Sequence, residues 1–392
     1  MYDHYQKKLN IDYKIYLENH IKKYWTDYVF MEDIQEALKT AYNKFSSPED
    51  REKDAFIILD TYLGTFDLTE SFTKKIILLN TEPYKLEHLL ILHDWLINKC
   101  CNITNIFLIS DHSIGAKKWY EDYLNLFNTV GFNIIETPIR NIHRLETIEF
   151  LSDYPLQKDA IRKKIKYYFS AFMGGYSSSI EKDVLATFFL SKKNIGYIEY
   201  LSGYCSSECQ FENYLESITY FSNSKQVEIL LKLRKDGGFS KHNQNNNIPS
   251  FRDQMKSNAH DYLTQINDQS FCQLLRETYN SEPWTCVTEK TLDCFLNYMI
   301  PIPLSINSVS NLENIGFKFD HNMIDYSFQH EKDFVNRIVK INETLETISK
   351  TYSLADLEEY ILDNREILCY NYNYIVSNDL KNHLEQEFIN QL

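Results

Sequence analysis

Short apolar runs and amphipathic stripes alternate along the first part of the chain. The runs are rich in Ile, Leu and Phe and have the length of buried strands. They lie at 55–59, 75–79, 105–109 and 132–136. Between them, apolar residues at 86–98 and 117–130 recur with the spacing of a helix that buries one face. This alternation of strand and helix predicts a parallel, doubly wound α/β sheet.

The same alternation returns after a polar stretch at 151–166, which leads into the basic sequence RKKIKYY. This stretch predicts a linker, and hence two domains at residues 1–160 and 161–392. Further apolar runs predict the strands of the second domain. They lie at 167–173, 195–203 (strand and loop), 270–275 and 300–304. Amphipathic patterns at 330–348 and 354–364, followed by a helical tail, predict that this domain ends in helices.

The charge balance limits the class of partner. The chain has 392 residues and a formal net charge of −14, from 55 acidic residues against 41 Lys and Arg. A general affinity for DNA or for an anionic membrane needs a basic face, so this balance argues against both. No stretch approaches the roughly 20 apolar residues of a membrane-spanning helix. We therefore expect no membrane span.

The cysteines and the N-terminal residues bear on the compartment. The first residues lack the basic-then-apolar layout of a secretion signal. Eight cysteines without such a signal are typical of reduced thiols, so we expect a cytoplasmic protein. Cys205 and Cys209 have no matching Cys or His pair nearby, so no metal site is predicted.

Polar residues follow the predicted strands of the first domain. Asp60, Glu82, and Asp111 with His112 lie at or just after the ends of three of them. Substrates bind at this edge of a parallel sheet. Because Pro83 favours an extended conformation at Glu82, that carboxylate is expected to project from the edge as a general base. Asp60 and Asp111 could serve instead, and each acid could equally be an ordinary turn or loop residue.

A glycine pair follows the strand predicted at 167–173. Gly174, Gly175 and the serines after them, which include Ser177, precede a helix predicted at 180–190. A strand, a glycine-rich turn and a helix start can form a phosphate cradle, because free backbone N–H groups then point at the ligand. A plain tight turn is the alternative interpretation.

The densest group of candidate binding residues lies at 276–319. Glu277 and Asn280 fall in a loop, and a helix is predicted to begin at Thr288, Glu289 and Lys290. Thr288 suits the N-cap position. Lys290 places a cation in the first turn, which the helix dipole disfavours unless a phosphate compensates it. Glu277 and Glu289 are acceptors suited to ribose or sugar hydroxyls; an ordinary solvated helix start is the alternative.

The order of these residues resembles a known signature. The sequence E-T-Y-N-S, followed by V-T-E-K-T, an apolar helix and I-P-I-P-L, resembles the donor site of GT-B glycosyltransferases. The likeness is closest to the α1,3-fucosyltransferase family and to phage and viral glycosyltransferases. Asn311-Leu312, Gly316-Phe317-Lys318 and Ile324-Asp325-Tyr326 resemble the continuation in the phage group. The likeness covers the last third of the chain.

The resemblance implies a fold and an activity. The fold is two facing Rossmann-like domains, with C-terminal helices that cross back to the first domain. The activity is transfer of a sugar from a nucleotide-sugar donor to an acceptor hydroxyl. No convincing D-x-D follows a predicted strand, which fits chemistry without a metal or other cofactor, and direct displacement would invert the anomeric configuration. Lys290 is then expected on the donor phosphates, Glu277 and Glu289 on ribose or sugar, and Glu82 as base. The serine-rich loop departs from the N-G-R…H-R segment of the phage group, which leaves its part in diphosphate binding open.

The acceptor and two other functions stay open. The acceptor could be a glycan, a protein or a modified nucleic-acid base, and a viral enzyme would act in the cytoplasm of its host. One alternative is a sugar transferase that acts on a modified base in phage DNA, although the acidic charge weighs against this. The other is a non-catalytic α/β binding or assembly protein of the same fold.

Overall fold

The protein is a mixed α/β protein with parallel sheets, as the sequence predicts. The computed structural model describes the following residues: 56–60, 75–80, 86–99, 102–110, 113–136, 164–173, 192, 194–200, 266–277 and 283–391. The chain divides into two compact units. The first consists of Met1–Tyr154, Glu282–Thr288 and Val376–Leu392, and the second of Pro155–Ser281 and Glu289–Ile375.

In the first unit, four parallel strands form one sheet. They are β1 (Phe56–Asp60), β2 (Lys75–Asn80), β3 (Ile106–Ser110) and β5 (Asn133–Glu136), in the spatial order β1-β2-β3-β5. All five residues of β3 are buried, so both faces of this strand are covered. The four strands predicted from the apolar runs are confirmed.

Two helices connect these strands. They are α1 (Leu86–Lys99), between β2 and β3, and α2 (Ala116–Phe127), which follows the two-residue strand β4 (Ser113–Ile114). Helix α2 ends earlier than predicted because Asn128 takes a left-handed conformation (φ 48°) and closes the helix. The helices and the sheet share a buried core. It contains Leu89, Leu92, Leu96, Ile103, Ile106, Leu108, Ala116, Tyr120, Phe132, Ile134 and Trp284.

In the second unit, four parallel strands form a separate sheet. They are β6 (Tyr167–Met173), β7 (Gly196–Tyr200), β8 (Ser270–Leu275) and β10 (Ile300–Pro303), in the spatial order β10-β8-β6-β7. From β6 the chain moves outward to β7, then returns to place β8 on the other side of β6. The direction of winding therefore reverses between β6 and β8.

The described helices of the C-terminal third follow one another with short connections. They are α3 (Glu289–Leu296), α4 (Ser308–Asn314), α5 (Phe334–Thr351), α6 (Leu354–Asp363), α7 (Arg365–Val376) and α8 (Asp379–Gln391). Helix α5 begins four residues later than predicted, because Tyr326–His330 forms a 3₁₀ helix and Asp333 caps α5 by accepting from the Asn336 N–H (2.8 Å). Ser353 and Asp356 form a capping box at the start of α6.

Gly316 ends α4 with a Schellman motif. Its φ of +102° lies in the left-handed region that favours glycine. The Gly316 N–H donates to the Glu313 carbonyl (2.9 Å), and the Phe317 N–H to the Leu312 carbonyl (3.0 Å). A Cβ at Gly316 would lie only 2.6 Å from the Tyr374 hydroxyl oxygen. The glycine is therefore required by the backbone turn and by its close neighbour on α7.

Two elements link parts of the first unit that are distant in sequence. Strand β9 (Thr285–Cys286) pairs antiparallel with β4, with Ser113 opposite Cys286 and Ile114 opposite Thr285. Helix α8 bonds to the edge strand β5 through Gln391, whose side chain accepts from the Glu136 N–H (3.1 Å) and donates to the Glu136 carbonyl (3.4 Å). Helix α8 thus belongs to the first unit.

Candidate functional site

The topology of the second sheet locates a candidate site. In open parallel sheets, ligands bind beyond the carboxyl ends of the strands where the winding reverses. Here that point lies between β6 and β8. The chain leaves β8 through Arg276 and Glu277. Because the Leu304 N–H donates to the Leu275 carbonyl (3.2 Å), the chain after β10 leaves the sheet beside the end of β8.

Buried polar residues concentrate where these two strands end. Arg276 is 8% exposed and Glu277 1% exposed directly after β8, and Ser305 and Ser308 are each 1% exposed after β10. The Ser308 hydroxyl donates to the Ser305 carbonyl (2.5 Å). Ionisable groups are seldom this buried unless they are paired or functional. We call the set Arg276, Glu277, Thr291, Ser305 and Ser308 the edge cluster.

Within the edge cluster, Glu277 is bonded to α3. The Thr291 hydroxyl, in the first turn of that helix, donates to the Glu277 carboxylate at 2.5 Å. Both residues are buried. This hydrogen bond holds the start of α3 to the end of β8, so Glu277 has a structural role between these elements.

Helix α3 begins where the sequence predicts. Its first residue is Glu289, directly after the buried Thr288. Lys290 is half-buried in the first turn. The first N–H groups of a helix have no intrahelical partner and carry partial positive charge, to which the Lys290 ammonium adds. The start of α3 therefore combines the partial positive charge of a helix N-terminus with a nearby ammonium group.

The corresponding edge of the first unit contains a carboxylate that the sequence analysis missed. Glu136, at the end of β5, accepts from the Lys117 N–H (2.7 Å) and also from the backbone N–H groups of Gly115 and Ala116. Burial raises the pKa of Glu136, while these bonds oppose the shift. The start of α2 is thus occupied by the protein's own carboxylate. Its position at the end of a predicted strand could have marked Glu136 as a candidate, but only the fold shows which helix it caps.

The β4–β9 pair brings together two stretches that contain predicted site residues. Ser113 lies opposite Cys286. In the sequence, Asp111 lies two residues before Ser113, and Thr288 two residues after Cys286. No local pattern predicts a pairing between segments so far apart. The pair connects β4, which follows β3 in the chain, with the segment that leads into α3.

Several predicted residues lie outside the part of the chain that the structure describes. They are Glu82, Asp111, Asn280, Gly174 and Ser177. Their roles, and those of the Glu289 side chain, stay predictions. Among the described residues, no group of three or more His, Cys, Asp and Glu side chains is arranged to hold a metal ion. Within the same residues, no helix has both the length and the apolar character needed to cross a membrane.

A groove in the second unit lies at the other end of β10. It lies beside Met299, Ile300 and Pro301, at the amino end of the strand. Its polar lining is bonded within the protein: the Tyr326 hydroxyl donates to the Pro301 carbonyl (3.2 Å), and the Tyr360 hydroxyl to Asp320. Because ligands of parallel sheets bind at the carboxyl ends, we assign the candidate site to the edge cluster and not to this groove.

Lys318, the last residue of the Gly316-Phe317-Lys318 motif, lines the groove, and its contacts lie within the protein. Its N–H donates to Asn371 (2.8 Å), whose amide donates back to the Lys318 carbonyl (2.8 Å). Its ammonium lies 3.8 Å from the centre of the Tyr370 ring. Phe317 stacks on Phe295 with ring centres 4.3 Å apart. Packing against α3 and α7 therefore accounts for this motif.

Comparisons with known proteins identify no relative of this chain. No protein-family model, no curated protein and no solved structure matches the chain.

Proposed function

We propose that this chain is a glycosyltransferase that moves a sugar from a nucleotide-sugar donor to an acceptor hydroxyl. The fold we propose is two facing Rossmann-like domains, with donor bound by the second and acceptor by the first. One observation supports this most: the edge cluster and the start of α3 lie at the carboxyl edge of a parallel sheet, beside β8, which is one of the two strands between which the winding reverses.

In the proposed reaction, an acceptor oxygen attacks the anomeric carbon of the donor. The bond from that carbon to the diphosphate oxygen breaks, and a carboxylate base takes the hydroxyl proton. Direct displacement inverts the anomeric configuration. Negative charge develops on the departing diphosphate, and Lys290 with the first N–H groups of α3 would stabilise it. Glu82 is the proposed base, with Asp111 as the competing candidate.

The first experiment is a thermal-shift screen against nucleotides and UDP- and GDP-sugars. A ligand at 100 times its dissociation constant stabilises a protein by roughly 2.7 kcal/mol, which such a screen detects. Stabilisation by one nucleotide and its sugar conjugates supports the proposal. If no nucleotide or sugar nucleotide stabilises the protein, the proposal is wrong. Stabilisation without any turnover would instead identify a non-catalytic binding protein.

The second experiment tests Lys290. We expect Lys290→Ala to lower donor turnover by about 10- to 1000-fold, because one preorganised charge-stabilising group contributes on that order. The matched control is Lys350→Ala on α5, which removes an ammonium that is 74% exposed and paired with Glu346 at 3.0 Å. Donor hydrolysis, followed by release of the nucleoside diphosphate, measures both variants. Equal rates in the two variants would show that Lys290 does not stabilise the departing diphosphate.

A further inference from the structure

The connection from β8 to α3 passes through the other unit. Both strand and helix belong to the second unit, whereas Glu282–Thr288 between them belongs to the first. Trp284, in this segment, is 2% exposed and lies in the core of the first unit. Its ring lies edge-on to Trp119, with centres 6.0 Å apart. The next two residues form β9 and pair with β4.

We propose that Trp284 is a positioning residue for the donor site. It anchors the segment that leads directly into α3, whose first turn contains Lys290 and Thr291. This inference rests on the proposed function, since the donor is what the start of α3 would bind. The tryptophan touches no substrate and acts through the segment it holds.

The physical basis is the cost of ordering the chain. A segment that is already held in place has little conformational freedom left to lose when a ligand binds. Trp284 and the β4–β9 pair hold residues 284–286, and the Glu277–Thr291 bond holds the first turn of α3. Without the anchor, donor binding would have to order the segment, and affinity falls accordingly. By reciprocity, donor binding also stabilises the anchored form.

The simpler explanation is that Trp284 only fills the core of the first unit. Phe132 provides the matched control, because it is 3% exposed, belongs to the same core and stacks on Tyr120 at 4.5 Å, yet lies outside the connection. Trp284→Leu and Phe132→Leu both remove an aromatic ring from this core. A core-filling role predicts equal effects, and a positioning role predicts different ones.

The experiment uses the full chain and the UDP- or GDP-sugar that the wild type turns over fastest. Donor Kd and KM are measured at a temperature where circular dichroism shows each variant folded. We expect Trp284→Leu to raise both by about tenfold or more, since ordering one residue's backbone costs about that factor. Phe132→Leu should leave both unchanged, and Trp284→Phe should restore most of the affinity. Equal values in the two Leu variants would overturn the inference.

A second measurement needs no ligand. Amide hydrogen exchange should become faster at residues 285–291 in Trp284→Leu than in Phe132→Leu, while β6 stays equally protected in both. Equal exchange at 285–291 in the two variants would also overturn the inference. Failure of the wild type to bind any nucleotide sugar would contradict the proposed function, and the exchange comparison would still decide whether Trp284 holds the connection.

Discussion

The hydrogen bond between Thr291 and Glu277 is the contact on which the candidate site most depends. We expect Thr291→Val to lower the free energy of unfolding by about 2 kcal/mol. Valine keeps the branched shape and a similar helix propensity, so the change removes little more than the hydroxyl. A hydrogen bond to an ionised group contributes about 1.5–3 kcal/mol, and loss of one donor to a buried carboxylate lies in that range. Glu277 is 1% exposed, so water cannot replace the hydroxyl without a local rearrangement.

The assay is denaturant unfolding of a double-mutant cycle with Glu277→Gln. Glutamine still offers an oxygen to Thr291 but has no charge, so this variant alone should lose about 1 kcal/mol. In the double variant the two losses should not add, and the coupling should be at least about 0.5 kcal/mol. The control is Thr347→Val, because that hydroxyl donates to the Glu343 carbonyl (2.8 Å) on an exposed helix face. We expect the control to change stability by less than about 0.5 kcal/mol.

The reasoning would be refuted if Thr291→Val cost no more than Thr347→Val, or if the cycle showed no coupling. Either result would mean that the bond does not fix α3 to the end of β8. Donor affinity separates the two roles of Glu277. If the carboxylate also binds the donor, Glu277→Gln should weaken donor binding by about tenfold, which corresponds to about 1.4 kcal/mol. If the carboxylate only holds α3 to the end of β8, Glu277→Gln, which keeps an acceptor for Thr291, should weaken binding less than Thr291→Val does.

Two further predictions concern stability. Gly316→Ala should lower the free energy of unfolding by about 2–4 kcal/mol in a denaturant titration, because alanine is strained at this positive φ and its Cβ would collide with the Tyr374 ring. Donor binding should be unaffected. A loss of stability under about 0.5 kcal/mol would contradict the Schellman assignment. Burial lowers the pKa of His93, whose Nδ1 lies 2.5 Å from the Tyr120 hydroxyl. The unfolded chain therefore takes up a proton first as pH falls below about 6.5. Stability should fall by up to about 1.4 kcal/mol per pH unit below that point, until His93 in the folded protein also takes up a proton. His93→Gln should remove that slope in the same titration, and an unchanged slope would show that other groups cause it.

Local sequence patterns were sufficient for the described strands of the two parallel sheets and for most of the described helices. The run FIILD at β1 and the run SFCQLL at β8 are apolar over the length of a buried strand. The start of α3 at Glu289 follows from Thr288 before a helical stripe. Such signals are local because backbone hydrogen bonding and one-sided burial repeat every few residues. The α/β class follows from their alternation.

The candidate site was only partly predictable. The sequence analysis selected Glu277, Thr288 and Lys290, which lie at or beside the ends of β8 and α3 in the fold. It missed Arg276, Thr291, Ser305 and Ser308, because ordinary Ser, Thr and Arg residues have no distinctive sequence pattern. Their importance depends on burial, which is decided by neighbours from other parts of the chain. The Gly316-Phe317-Lys318 motif was interpreted by resemblance, and the structure supplies a packing reason for it.

The order of the strands and the path of the β8–α3 connection were decided by the tertiary structure alone. Nothing local distinguishes β8 as the strand that returns across β6, since every parallel strand is a similar apolar run. The pair of β4 with β9 joins two-residue segments, which are too short for any periodicity to show. A tryptophan can be buried in the core of either unit, so the local sequence around Trp284 does not show which core it enters. The sequence determines which residues can be buried together, and long-range packing alone decides which of them meet.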